Sequence, residues 1–336
     1  GLLPAALRAE EGAGGHYVPG ATATFIDALP GMLPPEFYEA FAQYNIDNNS
    51  KPLYLMQGVW ADDADSGDYF DKGYSERFRK EIKDVIDVVH GNAVIKERPG
   101  HAAGTYARNV SNYVIGILLG REWEPSTVIT TNKKNKKITK FIGDFISLPE
   151  GNPMETWLAE MMDFTVRYET QIYRTQRPVS FVNWLPLDPM YHNSEFIESK
   201  KVREYDNDIE SIDFRKFYRT PLFKAGIYSA YHAYPYYPDY VYMDDKYKGG
   251  INHKGEKDNY YAYLEDLKDN CPGMPLVIAE YGLPSSRGNS HSTPFGLDQG
   301  GHSEKSGVFG SMEAWAVTGM RARTRVARID FIGGEL

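Results

Sequence analysis

The chain has 336 residues, and 37 Lys and Arg against 46 Asp and Glu give it a formal net charge of −9, which excludes a protein that binds nucleic acid regardless of sequence. Its 42% hydrophobic and 25% charged residues are typical of a globular protein, and no apolar run is long enough for an integral membrane helix. The single cysteine, Cys271, excludes an internal disulfide framework and a cysteine-rich metal site.

Residues 1–32 are rich in Gly, Ala and Pro, which predicts an irregular N-terminal segment that could be foreign to the domain after it. The opening GLLPAALRA ends its apolar stretch at Ala9, as the tail of a cleaved secretory signal would, but it lacks a basic front end. The location therefore stays open, with an extracytoplasmic one slightly favoured. Just before residue 33, ATATFIDALPG predicts a poor strand.

Apolar runs alternate with amphipathic patterns between about residues 33 and 304. The runs predict strands at 52–60, 113–119, 179–184, 226–234 and 275–282. Apolar residues spaced by three or four predict helices at 35–44, 78–89, 154–168 and about 257–269. Strands that are apolar on both faces and alternate with helices indicate a parallel sheet covered by helices, either open or closed into a barrel.

Polar and aromatic side chains follow these strands at their carboxyl ends: Gln57 and Trp60, Arg121 and Glu122, Asn183 and Trp184, His232 and Tyr234, Glu280 and Tyr281. A closed barrel gathers such ends in one mouth, so they favour an α/β fold of the (β/α)8 TIM barrel type. The first and eighth strands are weak in the sequence, so the barrel could be incomplete there. No GxGxxG or GxxxxGK[ST] follows a strand, which argues against a nucleotide-binding fold.

Glu122 and Glu280 end two otherwise apolar runs. Retaining glycoside hydrolysis needs one carboxyl group as acid and base and a second as nucleophile, about 5 to 5.5 Å apart. Strands facing each other across a small barrel can present that separation. The alternative for each residue alone is a glutamate held in an ion pair, with Arg121 as an obvious partner for Glu122.

Eight motifs in order resemble one family. They are LPPEFYEAFAQYN, PLYLMQGVW, HGNA, GREWEP, NWLPLDP, AYHAYPYYPD, AEYGLPSSRG and DQGGHSE. Residues 33–304 thereby resemble the clan A glycoside hydrolases, (β/α)8 barrels, and more closely bacterial glycosidase-like proteins of unassigned substrate, some associated with family 2 glycosyltransferases. Residues 11–30 faintly resemble the start of outer-membrane transporter-like proteins linked to phenol meta-cleavage operons.

The resemblance implies that Glu122 is the acid/base and Glu280 the nucleophile. Arg121 stands where the clan usually has an Asn that binds the sugar's 2-hydroxyl, and a cation beside Glu122 would favour its ionised form. Glu124, followed by a proline, is the fallback acid/base. The clan often places a residue that hydrogen-bonds the nucleophile after the sixth strand, where this chain has His232, Tyr234, Tyr236 and Tyr237.

The predicted substrate-binding residues are Gln57, Trp60, Arg121, Asn183, Trp184, His232, Tyr234, Tyr281 and Arg287. The tryptophans could stack on sugar rings and Arg287 could bind an anionic group; buried packing and an ion pair are the respective alternatives. Asp188 could bind a sugar hydroxyl or cap a loop.

Other chemistries find little support. The histidines show no zinc spacing, and serine-nucleophile motifs are absent, so no metal and no cofactor are expected. The lysine-rich stretch at 131–140 is expected to be an exposed loop, either simply solvated or in contact with an acidic polysaccharide or anionic surface. Residues 305–336, which include four arginines in eight positions, are expected to be an irregular basic C-terminal tail.

The expected function is therefore a retaining glycoside hydrolase or transglycosylase that acts on a β-linked polysaccharide or oligosaccharide through two glutamates. A catalytically inactive carbohydrate-binding barrel that assists polysaccharide synthesis or export is the alternative. The expected partner is a carbohydrate, and the resemblance adds a functional association with a glycosyltransferase.

Overall fold

The computed structural model describes residues 24–25, 31–192, 195–197, 200–202, 209–234, 238 and 240–280. The chain divides into two units. The first runs to Arg121 and also contains Thr130–Val182 and Lys216–Ile227; the second contains Glu122–Ile129, Asn183–Arg215 and the stretch from Tyr228 onward.

Strands and helices alternate along the chain. The strands are β1 Thr24–Phe25, β2 Leu53–Val59, β3 Ala93–Ile95, β4 Gly104–Tyr106, β5 Val114–Leu119, β6 Phe141–Ile142, β7 Ile146–Leu148, β8 Val179–Trp184, β9 Glu195–Ile197, β10 Lys200–Val202, β11 Tyr218–Arg219, β12 Ser229–His232 and β13 Leu276–Glu280. The helices are α1 Pro35–Asp47, α2 Lys72–Val89, α3 Pro125–Lys134, α4 Pro153–Tyr173, α5 Tyr240–Met243, α6 Asp245–Lys248 and α7 Asn259–Asp269.

Parallel pairing dominates the long strands. In the first unit β1, β2, β5 and β8 lie side by side and parallel, with Thr24 opposite Leu53 and Ile117 opposite Val179. In the second unit β12 pairs parallel with β13. The predicted α/β class is therefore confirmed for the described residues, and β1 lies within the weak strand predicted before residue 33. Closure into eight strands stays a prediction.

The core of the first unit forms where α2 and α4 pack. Pro153 and the capping box of Asn152 with Glu155 start α4, whose inward face buries Trp157 completely. The Trp157 ring lies 5.4 Å from that of Phe78 on α2. Burial of such aromatic side chains fixes the helices against the sheet.

The lysine-rich stretch at 131–140 was predicted as a loop, and this is wrong for its first four residues. They form the last turn of α3, which begins at Pro125. Proline is favoured at the first position of a helix, and Lys133 and Lys134 complement the negative end of the helix dipole. The lysines of the stretch are exposed, as expected.

Candidate active site

His232 and Glu280 are brought together by strands β12 and β13. The register runs regularly from Ser229 opposite Leu276 to Tyr231 opposite Ile278, and then shifts by one residue, so that His232 lies opposite Glu280. Without this irregularity Ala279 would stand there. A one-residue shift in a strand exchanges the side chains on each face. The shift therefore places an imidazole and a carboxylate side by side.

Glu122 completes a cluster around one nitrogen. His232 Nδ1 lies 3.2 Å from Glu122 Oε1 and 3.1 Å from Glu280 Oε2. These two carboxylate oxygens can be no farther apart than the sum of the two distances, about 6.3 Å, so the two carboxyl groups approach each other closely. The pair is thus compatible with the separation that retention requires.

The two carboxylates of the cluster are accessible to solvent. The side chain of His232 is 13% exposed, whereas those of Glu122 and Glu280 are 34% and 53% exposed. A partly buried histidine between two accessible carboxylates can position both of them from one ring nitrogen, by a charge-assisted hydrogen bond to one and a close contact with the other.

Tyr234 supplies a second contact to Glu280. Its hydroxyl donates a hydrogen bond to Glu280 Oε1, while His232 lies against the other oxygen. The backbone between the two is fixed, because Ala233 N donates to the carbonyl of Glu280 and the Tyr260 hydroxyl donates to the carbonyl of Ala233. Both oxygens of Glu280 are therefore oriented by the chain.

Trp184 is anchored to the residue that follows Glu122. Its indole N–H donates to the carbonyl of Trp123 at 2.9 Å, and Trp123 itself is buried. Trp184 is only partly buried. A partly exposed indole held at one edge offers a rigid flat face, which suits a sugar ring.

Gln57 and Asn183 belong to internal networks. Gln57 is fully buried, accepts from the Tyr38 hydroxyl at 2.8 Å and donates to the carbonyl of Gly31. Asn183, also fully buried, donates to the carbonyl of Ile212 at 2.9 Å. The amide groups of both are engaged inside the protein, and their predicted contacts with substrate stay predictions.

Asp188 is buried, and it caps the loop after β8, as one of its two predicted roles required. It lies 3.0 Å from His192 Nε2 and accepts from the Tyr263 hydroxyl at 2.9 Å and from the backbone N–H of Met190. Burial and the charge of Asp188 raise the pKa of Tyr263 well above its usual range, so the phenol stays a donor. Asp188 and its partners organise the second unit.

Arg121 has partners of its own in the first unit. Its guanidinium forms an ion pair with Asp63, donates to the carbonyl of Ala61 at 2.9 Å and lies over the Trp60 ring, 5.3 Å from the centroid. Trp60 is 42% exposed. The sequence reasoning missed Asp63, although the acidic stretch ADDADSGD directly after β2 was the available signal.

Five predicted residues remain, of which the structure describes only Glu124. Glu124, the fallback acid/base, is exposed, and its backbone carbonyl accepts from the N–H of Thr127 as α3 begins. Tyr236, Tyr237, Tyr281 and Arg287 lie outside the described residues.

No group of three or more His, Cys, Asp or Glu in the described part of the chain is arranged to hold a metal ion. Among the same residues, no helix has the length and apolar character needed to cross a membrane. The chain matches no family model, no characterised protein and no solved structure.

Proposed function

We propose that this chain is a retaining glycoside hydrolase or transglycosylase that acts on a β-linked polysaccharide or oligosaccharide. One observation carries the proposal: an oxygen of Glu122 and an oxygen of Glu280 both lie within 3.2 Å of the same histidine nitrogen. Two carboxyl groups held this close, each with an accessible side, are what a double-displacement reaction at an anomeric carbon needs.

The roles of the two glutamates follow from the resemblance and from their contacts. Glu280, oriented by His232 and Tyr234, attacks the anomeric carbon and forms a glycosyl-enzyme ester, while Glu122 gives its proton to the departing glycosidic oxygen. Glu122 then takes a proton from water or from an acceptor sugar. The oxygen that has lost this proton attacks the anomeric carbon and displaces Glu280. The configuration at the anomeric carbon is inverted twice and therefore retained.

Closure of the parallel strands into a barrel belongs to the same proposal. We propose that the parallel strands are part of a (β/α)8 barrel of the clan A type, in which Trp184 provides a face for a sugar ring. In that arrangement the carboxyl ends of the strands form the substrate mouth. The resemblance adds a glycosyltransferase as a partner with which the chain is functionally associated.

A second candidate is a catalytically inactive barrel that binds carbohydrate during polysaccharide synthesis or export. The observation that favours it is Arg121, whose guanidinium is bound by Asp63 and by the Ala61 carbonyl. A cation fixed in this way does not supply the amide that the clan uses to bind the 2-hydroxyl group of the sugar.

The Glu280→Gln variant separates the two candidates. Wild type and variant are assayed on a panel of β-linked glucan, mannan, xylan and galactan oligosaccharides, both for turnover and for binding. The enzyme is supported if the wild type turns over one of them and Glu280→Gln loses turnover while it keeps binding. Wild-type binding without turnover supports the inactive barrel. Glu76→Gln, an exposed glutamate on α2, is the matched control and is expected to behave as wild type.

A further inference from the structure

The small sheet of β6, β7 and β11 exposes apolar side chains on its outer face. Ile142 and Tyr218 both stand opposite Ser147 in the antiparallel ladder, so these three residues share one face. Their neighbours Ile146 and Leu148 are fully buried on the opposite face. Ile142 is 70% exposed and Tyr218 55% exposed. The outer face of such a sheet is ordinarily polar, and an exposed apolar row indicates contact with another surface.

A basic segment, residues 133–140, leads directly into this sheet. It carries five exposed lysines: Lys133, Lys134, Lys136, Lys137 and Lys140. Ile138, 37% exposed, lies among them. The segment is tied to the end of β7, because the N–H of Gly151 donates to the carbonyl of Thr139 at 2.8 Å.

Acidic residues do lie near this segment: Asn135 donates to Asp68 at 2.9 Å, and Lys134 donates to the carbonyl of Ser66. Asp144, between β6 and β7, lies 3.3 Å from Arg167, and Glu150 after β7 is exposed. Among the described residues, none of the five lysines forms an ion pair with a carboxylate, so their charges remain available to a partner. The chain as a whole has a net charge of −9, so this segment is a local concentration of positive charge.

We propose that the basic segment and the outer face of the small sheet dock on the surface of an anionic phospholipid bilayer. Clustered lysines are attracted to anionic headgroups as a group, without the directed geometry that a single carboxylate requires. Ile138 and Ile142 supply apolar groups for the acyl boundary, and a tyrosine such as Tyr218 is favoured at the interface between headgroups and water.

An anionic polysaccharide fits this surface less well. Recognition of sugar carboxylates favours the planar fork of arginine, and sugar rings favour flat aromatic faces, whereas the surface offers lysines, two isoleucines and a single tyrosine. The docking proposal is independent of the proposed glycosidase, since none of its residues belongs to the Glu122, His232 and Glu280 cluster. Glu280→Gln is therefore expected to leave vesicle binding unchanged.

The test is cosedimentation of the full chain with vesicles. Vesicles of phosphatidylglycerol and phosphatidylcholine are compared with vesicles of phosphatidylcholine alone. The wild type is expected to pellet with the anionic vesicles only, and less at high salt. Lys136→Glu/Lys137→Glu/Lys140→Glu is expected to lower the partition coefficient by at least about 100-fold, since each lysine lost near an anionic surface costs roughly fivefold and each glutamate gained adds repulsion. The charge-matched control, with Lys51, Lys254 and Lys257 changed to Glu, is expected to bind almost as wild type.

The apolar contribution is tested by a separate variant. Ile142→Ser keeps every charge and is expected to lower the partition coefficient by about tenfold at constant salt, because it removes one buried aliphatic side chain from the bilayer contact. Circular dichroism confirms folding of each variant. Equal binding to neutral vesicles, unchanged binding of the triple variant, or retention by a soluble polyuronate in place of vesicles would each overturn the proposal.

Discussion

The buried ion cluster of Glu169, Arg177 and His90 allows a quantitative prediction about stability. Glu169 Oε1 lies 2.6 Å from an Arg177 nitrogen and 2.8 Å from His90 Nε2, and all three side chains are no more than 6% exposed. Arg177 also donates to the carbonyl groups of Ser111 and Val114. We expect Glu169→Gln to leave a buried guanidinium without its counter-charge, which costs about 3 to 5 kcal/mol of unfolding free energy.

The dependence on pH has a definite sign. Burial acts to raise the pKa of Glu169, but the hydrogen bonds and charges of His90 and Arg177 outweigh it, and the net pKa is lowered. The stability that this carboxylate contributes is therefore full above the unfolded carboxyl pKa of about 4.3 and is lost as the pH falls through the lower folded value. The difference between wild type and Glu169→Gln should be constant near neutral pH and narrow below about pH 4.

Urea unfolding followed by circular dichroism measures this difference. Glu160→Gln is the matched control, because Glu160 pairs with Arg79 where both side chains are 29% to 37% exposed, and such pairs contribute about 0 to 1 kcal/mol. The reasoning is refuted if Glu169→Gln costs no more than Glu160→Gln, or if its cost is the same at low and neutral pH.

Three further predictions concern single side chains. His232→Ala should lower kcat on the identified substrate by roughly 10- to 150-fold with a small change in KM, since a charge-assisted contact is worth about 1.5 to 3 kcal/mol; an unchanged kcat would contradict the positioning role. Gln57→Leu should lower the free energy of unfolding by about 2 to 4 kcal/mol, because the Tyr38 hydroxyl loses its acceptor and the Gly31 carbonyl loses a donor; loss of activity at wild-type stability would instead indicate a substrate contact. Burial raises the pKa of the Cys271 thiol, so it should react with a thiol reagent only after denaturation, and rapid reaction of the native chain would contradict this.

The long elements could be predicted because their burial leaves a clear pattern. The strand at 179–184 was predicted with the bounds that β8 has, since every position except Trp184 is buried. The run at 226–234 formed strand only at Ser229–His232. The two- and three-residue strands β6, β7 and β11 were missed, because so few positions show no alternation.

The members of the candidate cluster could be chosen from the sequence, but the contacts between them could not be predicted. Glu122, Glu280, His232 and Tyr234 were chosen because they follow apolar strands. Which of them touch depends on the register shift between β12 and β13, and a shift of one residue leaves no mark in hydrophobic periodicity.

The role of buried polar side chains could not be predicted from the sequence either. Gln57, Asn183 and Asp188 follow or end strands as substrate-binding residues would, yet all three are engaged in internal hydrogen bonds. A polar residue at a strand end is compatible with internal hydrogen bonding and with substrate binding, because internal backbone groups and sugar hydroxyls require the same donors and acceptors.

Azide rescue tests the roles of the two glutamates most directly. Glu280→Ala and Glu122→Ala are each incubated with azide and an aryl β-glycoside that the wild type cleaves, and the anomeric configuration of the glycosyl azide is read by proton NMR. The account predicts an α-azide from Glu280→Ala, formed by a single displacement, and a β-azide from Glu122→Ala, formed on the glycosyl-enzyme. The same configuration from both variants, or no azide adduct from either, would contradict the assignment.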